Sequence, residues 1–88
     1  MYKYKTKGTC SREISFDIKD GKVYNVSFVG GCDGNLKAIS KLVEGQDVDK
    51  VIKTLEGNTC GPRQTSCADQ FAKALKGAYI DHSLEEVL

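Results

Sequence analysis

The chain has 88 residues, 40% apolar and 28% charged, with Lys+Arg 13 against Asp+Glu 12 and a net charge of +1. One small domain is the most it can build, and a large multi-layer enzyme fold is excluded. The balanced charge argues against a dedicated nucleic-acid or membrane surface, the apolar content argues against disorder, and no apolar run approaches the roughly 18 residues of a membrane span.

Met1-Tyr2-Lys3-Tyr4 leads into no apolar stretch, so no signal peptide is expected and the protein is expected to be cytoplasmic. Over residues 2–7, Tyr2, Tyr4 and Thr6 alternate with Lys3, Lys5 and Lys7. This is the pattern of an edge strand guarded by lysines. Gly8-Thr9 breaks it. Ile14, Phe16 and Ile18 then alternate with polar residues, and Tyr24, Val26 and Phe28 do the same beyond Asp20-Gly21. A hairpin is expected here. A two-residue Asp20-Gly21 turn would set Phe16 opposite Asn25 and Ile14 opposite Ser27, mixing apolar with polar. A three-residue turn, Lys19-Asp20-Gly21, sets Phe16 opposite Tyr24 and Ile14 opposite Val26. The second register is therefore expected, with Gly21 in the left-handed position of a bulge.

After the glycine-rich segment 30–34, residues 35–43 read as a helix with Leu36, Ile39, Leu42 and Val43 on one face and Asp33 as its N-cap. Gly45 closes it. Asp47 caps a second helix with Val48, Val51, Ile52 and Leu55 as its apolar stripe, and Gly57 stops it. Residues 58–65 form a loop containing Gly61-Pro62. Ser66 with Asp69 three residues later is a capping-box pattern. The helix it opens, from residue 67, carries Phe71, Ala72, Leu75 and Ala78 on one face. It ends at Gly77 or continues through Tyr79 and Ile80, and 83–88 is a final turn or a disordered end. Two or three antiparallel strands followed by three helices imply an α+β two-layer sandwich over 1–88, with its core in 7–80.

The cysteines, Cys10, Cys32, Cys60 and Cys67, fall at element ends rather than mid-face. Cys10 precedes one hairpin strand and Cys32 follows the other, so both belong at one end of the sheet. Cys32 and Cys67 stand at helix starts, where free backbone N–H groups favour thiolate. In a reducing setting this points to metal or thiol chemistry more than to disulfides. Four converging thiolates suit tetrahedral zinc or an iron–sulfur cluster. The spacing offers no Cys-x-x-Cys pair, so the fold itself must assemble the site. Two other readings stay open: Cys32 or Cys67 as an activated nucleophile, and cysteines as small core residues. Arg12 and Arg63 lie near cysteines in sequence and read as solvated charges, or as groups that neutralise thiolate charge or hold an anion by a bidentate contact; Asp33 and Asp69 read as caps, or as a proton acceptor or unusual ligand beside Cys32 and Cys67. His82 is read as a surface residue. Gly30-Gly31-x-x-Gly34 lacks the context of a phosphate loop.

Gly8-Thr9-Cys10-Ser11, Phe28-x-Gly30-Gly31-Cys32, Ser40-x-Leu42-Val43-x-Gly45, Cys60-Gly61 and Thr65-Ser66-Cys67-Ala68-Asp69-Gln70 resemble the TSCPD domain family. Its members are small proteins related to a domain near the C-terminus of vitamin B12-dependent ribonucleotide reductases. Ala68 stands where the motif has proline. A more distant likeness is to iron–sulfur scaffold proteins of the NifU/SufE-like fold, in which Cys10, Cys32 and Cys67 match in order and Cys60 has no clear equivalent. Ser11-Arg12 replaces the aspartate those scaffolds carry after the first cysteine. The resemblance implies an accessory role in nucleotide metabolism and DNA synthesis, with a protein partner, a nucleotide ligand or a homodimer as the associations it suggests. It implies no ribonucleotide reduction by the chain alone.

Overall fold

The computed structural model describes residues 1–6, 11–31, 33–59, 65–84 and 86. Strands β1 (Tyr2–Lys5), β2 (Ser11–Lys19) and β3 (Lys22–Gly30) form one antiparallel sheet in the order β1-β2-β3. β1 is the expected edge strand over its described part. Tyr2 and Tyr4 are half-buried while Lys3 and Lys5 face solvent. Tyr2 pairs with Phe16, and their rings stack with centroids 5.4 Å apart. On the outer side of β1, Tyr2 forms a bridge to Glu86, so the end of the chain returns to this edge.

The hairpin forms, but in a different register from the expected one. Lys19 pairs with Lys22 across a two-residue turn, with φ of 53° at Asp20 and 73° at Gly21. Two positive φ angles are the signature of a type I′ turn, whose twist matches the strands it joins. The apolar–polar mixing that argued against this turn is removed by a bulge further along. Asp17 pairs with Tyr24 and Ser15 with Ser27, so Asn25 and Val26 together stand opposite Phe16. Asn25 adopts φ 55°, a conformation Asn tolerates better than most residues. Its backbone N–H donates to Glu44 Oε1 at 2.8 Å, and its side-chain amide donates to Asp17 Oδ2 at 3.0 Å. The extra residue brings Val23, Val26 and Phe28 onto one face, and Ile14 pairs with Phe28 rather than Val26.

Helix α1 (Asp33–Val43) begins at Asp33, which is its first residue and not the cap before it. Leu36 and Val43 are buried and Ile39 is half-buried, but Leu42 is 75% exposed. At about 100° per residue, Val43 falls within about 20° of Leu36 and Ile39 within about 60°, whereas Leu42 is about 120° away. The expected stripe was therefore one residue too wide. Helix α2 (Val48–Leu55) buries Val48, Val51 and Ile52. Asp47 occupies its N-cap position, but its side chain makes no capping hydrogen bond. Instead the connection is held through the backbone: Val48 N donates to the Gly21 carbonyl at 2.9 Å, and Asp47 bridges Lys22.

Helix α3 (Cys67–Leu75) runs on without a break into a π-helical turn, Lys76–Ile80, so Gly77 does not end it. Phe71 is fully buried, with its ring edge-on to Phe16 and to Phe28 at 5.8 and 5.9 Å. These rings and Ile14, Val23, Val48 and Leu75 form the core between the sheet and the helices. Full burial of each such side chain contributes about 1.5–3 kcal/mol. Leu84 packs against this core from the chain's end. The architecture is α+β, a three-stranded antiparallel sheet followed by helices. Among the described residues no helix is long and apolar enough to cross a membrane.

Candidate metal centre

The direction of each element decides which residues meet. At the hairpin turn, Gly45 N donates to the Val23 carbonyl at 2.7 Å and Val23 N to the Gln46 carbonyl at 3.0 Å, so α1 ends there and α2 begins there. Tyr79 also lies there: a Cβ on Gly21 would sit 3.0 Å from its hydroxyl. From Tyr79 back through Phe71, which lies over Phe16 and Phe28, α3 leads away from the turn towards Cys67. The far end of the molecule therefore gathers the start of β2, the end of β3, the start of α1, the end of α2 and the start of α3. Ser11 pairs with Gly30 there.

In sequence, three of the cysteines adjoin one of these element ends, and Cys60 stands five residues past the end of α2. Cys10 precedes Ser11, Cys32 precedes Asp33, Cys60 follows the end of α2, and Cys67 opens α3. Cys67 is buried, 9% exposed. Cys10, Cys32, Cys60 and Arg63 lie outside the described residues. Among the described residues no group of three or more His, Cys, Asp or Glu could hold a metal.

The start of α3 is built by its own sequence. Ser66 caps it as expected, with Oγ accepting from Asp69 N at 3.0 Å. The same hydroxyl donates to the Asn58 carbonyl at 2.6 Å, which draws the chain after α2 against the start of α3. Asp69 is 3% exposed. Its Oδ1 accepts from Gly57 N at 2.7 Å, and its Oδ2 accepts from the Thr65 hydroxyl at 2.5 Å and pairs with Lys73 Nζ at 3.2 Å. Burial raises this carboxyl, but the hydrogen bonds from Thr65 and Gly57 and the Lys73 ammonium outweigh it and hold it below the usual carboxylate range. Gln70 Nε2 donates to Thr65 Oγ1 at 3.1 Å. Only the Ser66 half of the expected capping box forms; the Asp69 carboxylate turns instead to Gly57 and Thr65 and joins the end of α2 to the first turn of α3.

Of the supporting residues read from sequence, Arg12 is exposed on β2 next to Ser11, and the backbone of Asp33 opens α1. Both belong to the cysteine end. His82 is exposed. Sequence reasoning missed Gly57, Asn58, Thr65 and Lys73. One signal was available, since Lys73 follows Asp69 by four residues, a favourable helical spacing for an ion pair. Gly57 and Asn58 gave no such signal, because a backbone donor can belong to any residue.

No curated protein and no solved structure matches the chain. The TSCPD domain model matches residues 2–79, from the edge strand through the last helix and across every cysteine. The chain belongs to the TSCPD domain family.

Proposed function

We propose that this is a small metal-binding accessory module in which the thiolates of Cys10, Cys32, Cys60 and Cys67 hold zinc or an iron–sulfur centre. One observation carries the reading: the strand and helix ends nearest in sequence to the four cysteines gather at the same end of the sheet. The donor set fits the group, because soft thiolates select zinc and iron–sulfur centres among the common biological metals. Bound metal would supply folding energy there by cross-linking segments far apart in sequence. The chain's own residues do the rest. Ser66 caps the helix that presents Cys67, and the backbone N–H groups at that helix start favour its thiolate. The burial of Cys67 favours a ligand over the nucleophile of the alternative reading, since reactive cysteines are partly exposed. The order of Cys10, Cys32 and Cys67 supports a fold relation to the NifU/SufE-type scaffolds, and membership of the TSCPD family supports an accessory role beside ribonucleotide reduction.

Elemental analysis of protein purified anaerobically without added metal tests this reading. Close to one zinc per chain, or iron with matching sulfide and visible absorbance, is the expected result. Clearly substoichiometric metal, with all four thiols titrating freely in the folded protein, would overturn it.

A further inference from the structure

We infer that Asp69 is a positioning residue for the metal centre, acting through Cys67 without being a ligand. The inference rests on the metal-binding reading above. Both carboxylate oxygens of Asp69 are already engaged: Oδ1 with Gly57 N at 2.7 Å, and Oδ2 with the Thr65 hydroxyl at 2.5 Å and the Lys73 ammonium at 3.2 Å. At 3% exposed it is shut off from solvent. Three of the roughly four acceptor positions of the carboxylate are thus taken by groups of the protein itself, which suits a residue that positions rather than ligates. What it fixes is the first turn of α3, on which Cys67 stands two residues earlier. Two of its three partners, Thr65 and Lys73, lie either side of Cys67 in the chain, and the third, Gly57, belongs to the end of α2. The carboxylate therefore sets the angle and depth at which α3 meets α2, and with them the position of the Cys67 sulfur. A ligand held in place before binding gives up less freedom when the metal arrives. Residues that orient metal ligands typically change affinity by about 10–100-fold when replaced.

Cobalt(II) titration of the whole reduced chain tests this, read at the thiolate-to-cobalt charge-transfer band and the visible d–d bands, with affinity set by competition against a chelator. Asp69→Asn should weaken cobalt binding by about 10–100-fold and change the d–d envelope. Lys73→Met, which leaves the Gly57 and Thr65 contacts in place, should stay within about 3-fold of the parent by the same reasoning. Thr65→Val removes one donor with little change of shape and should give an intermediate loss, and it carries the test if Asp69→Asn does not fold. Unchanged affinity and spectrum in Asp69→Asn, or in Thr65→Val if that is the folded variant, would overturn the inference even if melting temperature fell, because Asp69 would then act on the fold alone. The parent separates the two possible failures. A parent with no thiolate-to-cobalt band overturns the metal-binding reading and this inference with it, whereas a parent that binds and variants that match it overturn this inference only.

Discussion

At the hairpin-turn end, α1, α2 and the sheet are joined mainly by main-chain hydrogen bonds, Gly45 N to the Val23 carbonyl, Val23 N to the Gln46 carbonyl and Val48 N to the Gly21 carbonyl, with one side-chain acceptor, Glu44 Oε1, on Asn25 N. At the cysteine end the joins pass through side chains. Ser66 Oγ bonds Asn58, and the Asp69 carboxylate gathers Gly57, Thr65 and Lys73. Main-chain joins depend on residue type only where left-handed backbone is required, as at Gly21, whereas side-chain joins depend on each residue that makes them. The difference assigns each end a task. The turn end fixes how α1 and α2 meet the sheet, and the end at which α3 starts depends on particular side chains, which is what the proposed metal centre would need.

Metal removal should separate the two ends most strongly. At about a thousand-fold saturation a bound ligand stabilises by about 4 kcal/mol. For a domain of this size that is roughly 15–30 °C in melting temperature. A strong chelator should lower the parent's melting temperature by that order. Amide exchange should quicken first near Ser66 and Gly57 and last near Val23 and Gly45. Cys10→Ala, Cys32→Ala and Cys67→Ala should each lose most of the metal, and the chelator should then have no further effect. Cys60→Ala should be mildest, because a water molecule or a neighbouring side chain can fill its position. A parent whose stability ignores the chelator after verified metal removal would end the distinction between the ends.

Phe71 sits between them, against Phe16 and Phe28. Phe71→Ala should cost about 3–5 kcal/mol through lost burial and a residual cavity. Urea unfolding measures it, and the cost should be similar with and without chelator. A loss seen only in the metal-bound protein would mean that the aromatic cluster serves the metal centre rather than the common core.

A matched pair of glycine substitutions sharpens the comparison. Gly21 has φ 73° at the turn end, and Gly57 has φ 83° at the other. Alanine in the left-handed region costs roughly 1–2 kcal/mol at either position. A Cβ at Gly57 would meet open space, while one at Gly21 would press on the Tyr79 hydroxyl at 3.0 Å. Gly21→Ala should therefore lower stability at least as much. Only Gly57→Ala should also weaken metal binding: alanine keeps the N–H, but its strain at φ 83° shifts the backbone donor that Asp69 accepts from. Equal metal affinity in the two variants would separate the Gly57–Asp69 bond from the site.

Much of the fold was legible because burial imposes a period. The alternation of Tyr2 and Tyr4 with lysines marked the edge strand, the spacing of Val48, Val51 and Ile52 marked α2, and Ser66 marked the start of α3. The hairpin register was misread because a bulge is a break in the period. Val23 and Val26 differ by an odd step yet face the core together, and Asn25 between them is the residue type that accepts the required conformation. That combination is the local signal of the bulge, and it is weaker than the alternation on either side of it. At the candidate site, the cap Ser66–Asp69 was legible because it is local. The bond from Asp69 to Gly57 spans 12 residues and depends on how α2 meets α3, which no local pattern encodes.

The smallest expected effect tests the same kind of misreading at α1. Sequence periodicity grouped Leu42 with Leu36, Ile39 and Val43, but Leu42 is 75% exposed and Leu36 only 5%. Leu42→Gln removes little buried surface, and glutamine has nearly the same helix propensity as leucine. Its effect on urea unfolding should stay within about 0.5 kcal/mol, the usual range for a surface change. Leu36→Gln buries an amide where no partner is provided and also loses apolar contact, so it should cost several-fold more. Similar costs for the two would return Leu42 to the buried face and would mean that α1 is rotated on the sheet. The metal affinity of Leu42→Gln should equal the parent's, because Leu42 lies near the C-terminal end of α1, towards the hairpin turn and away from the start of α3 at Cys67.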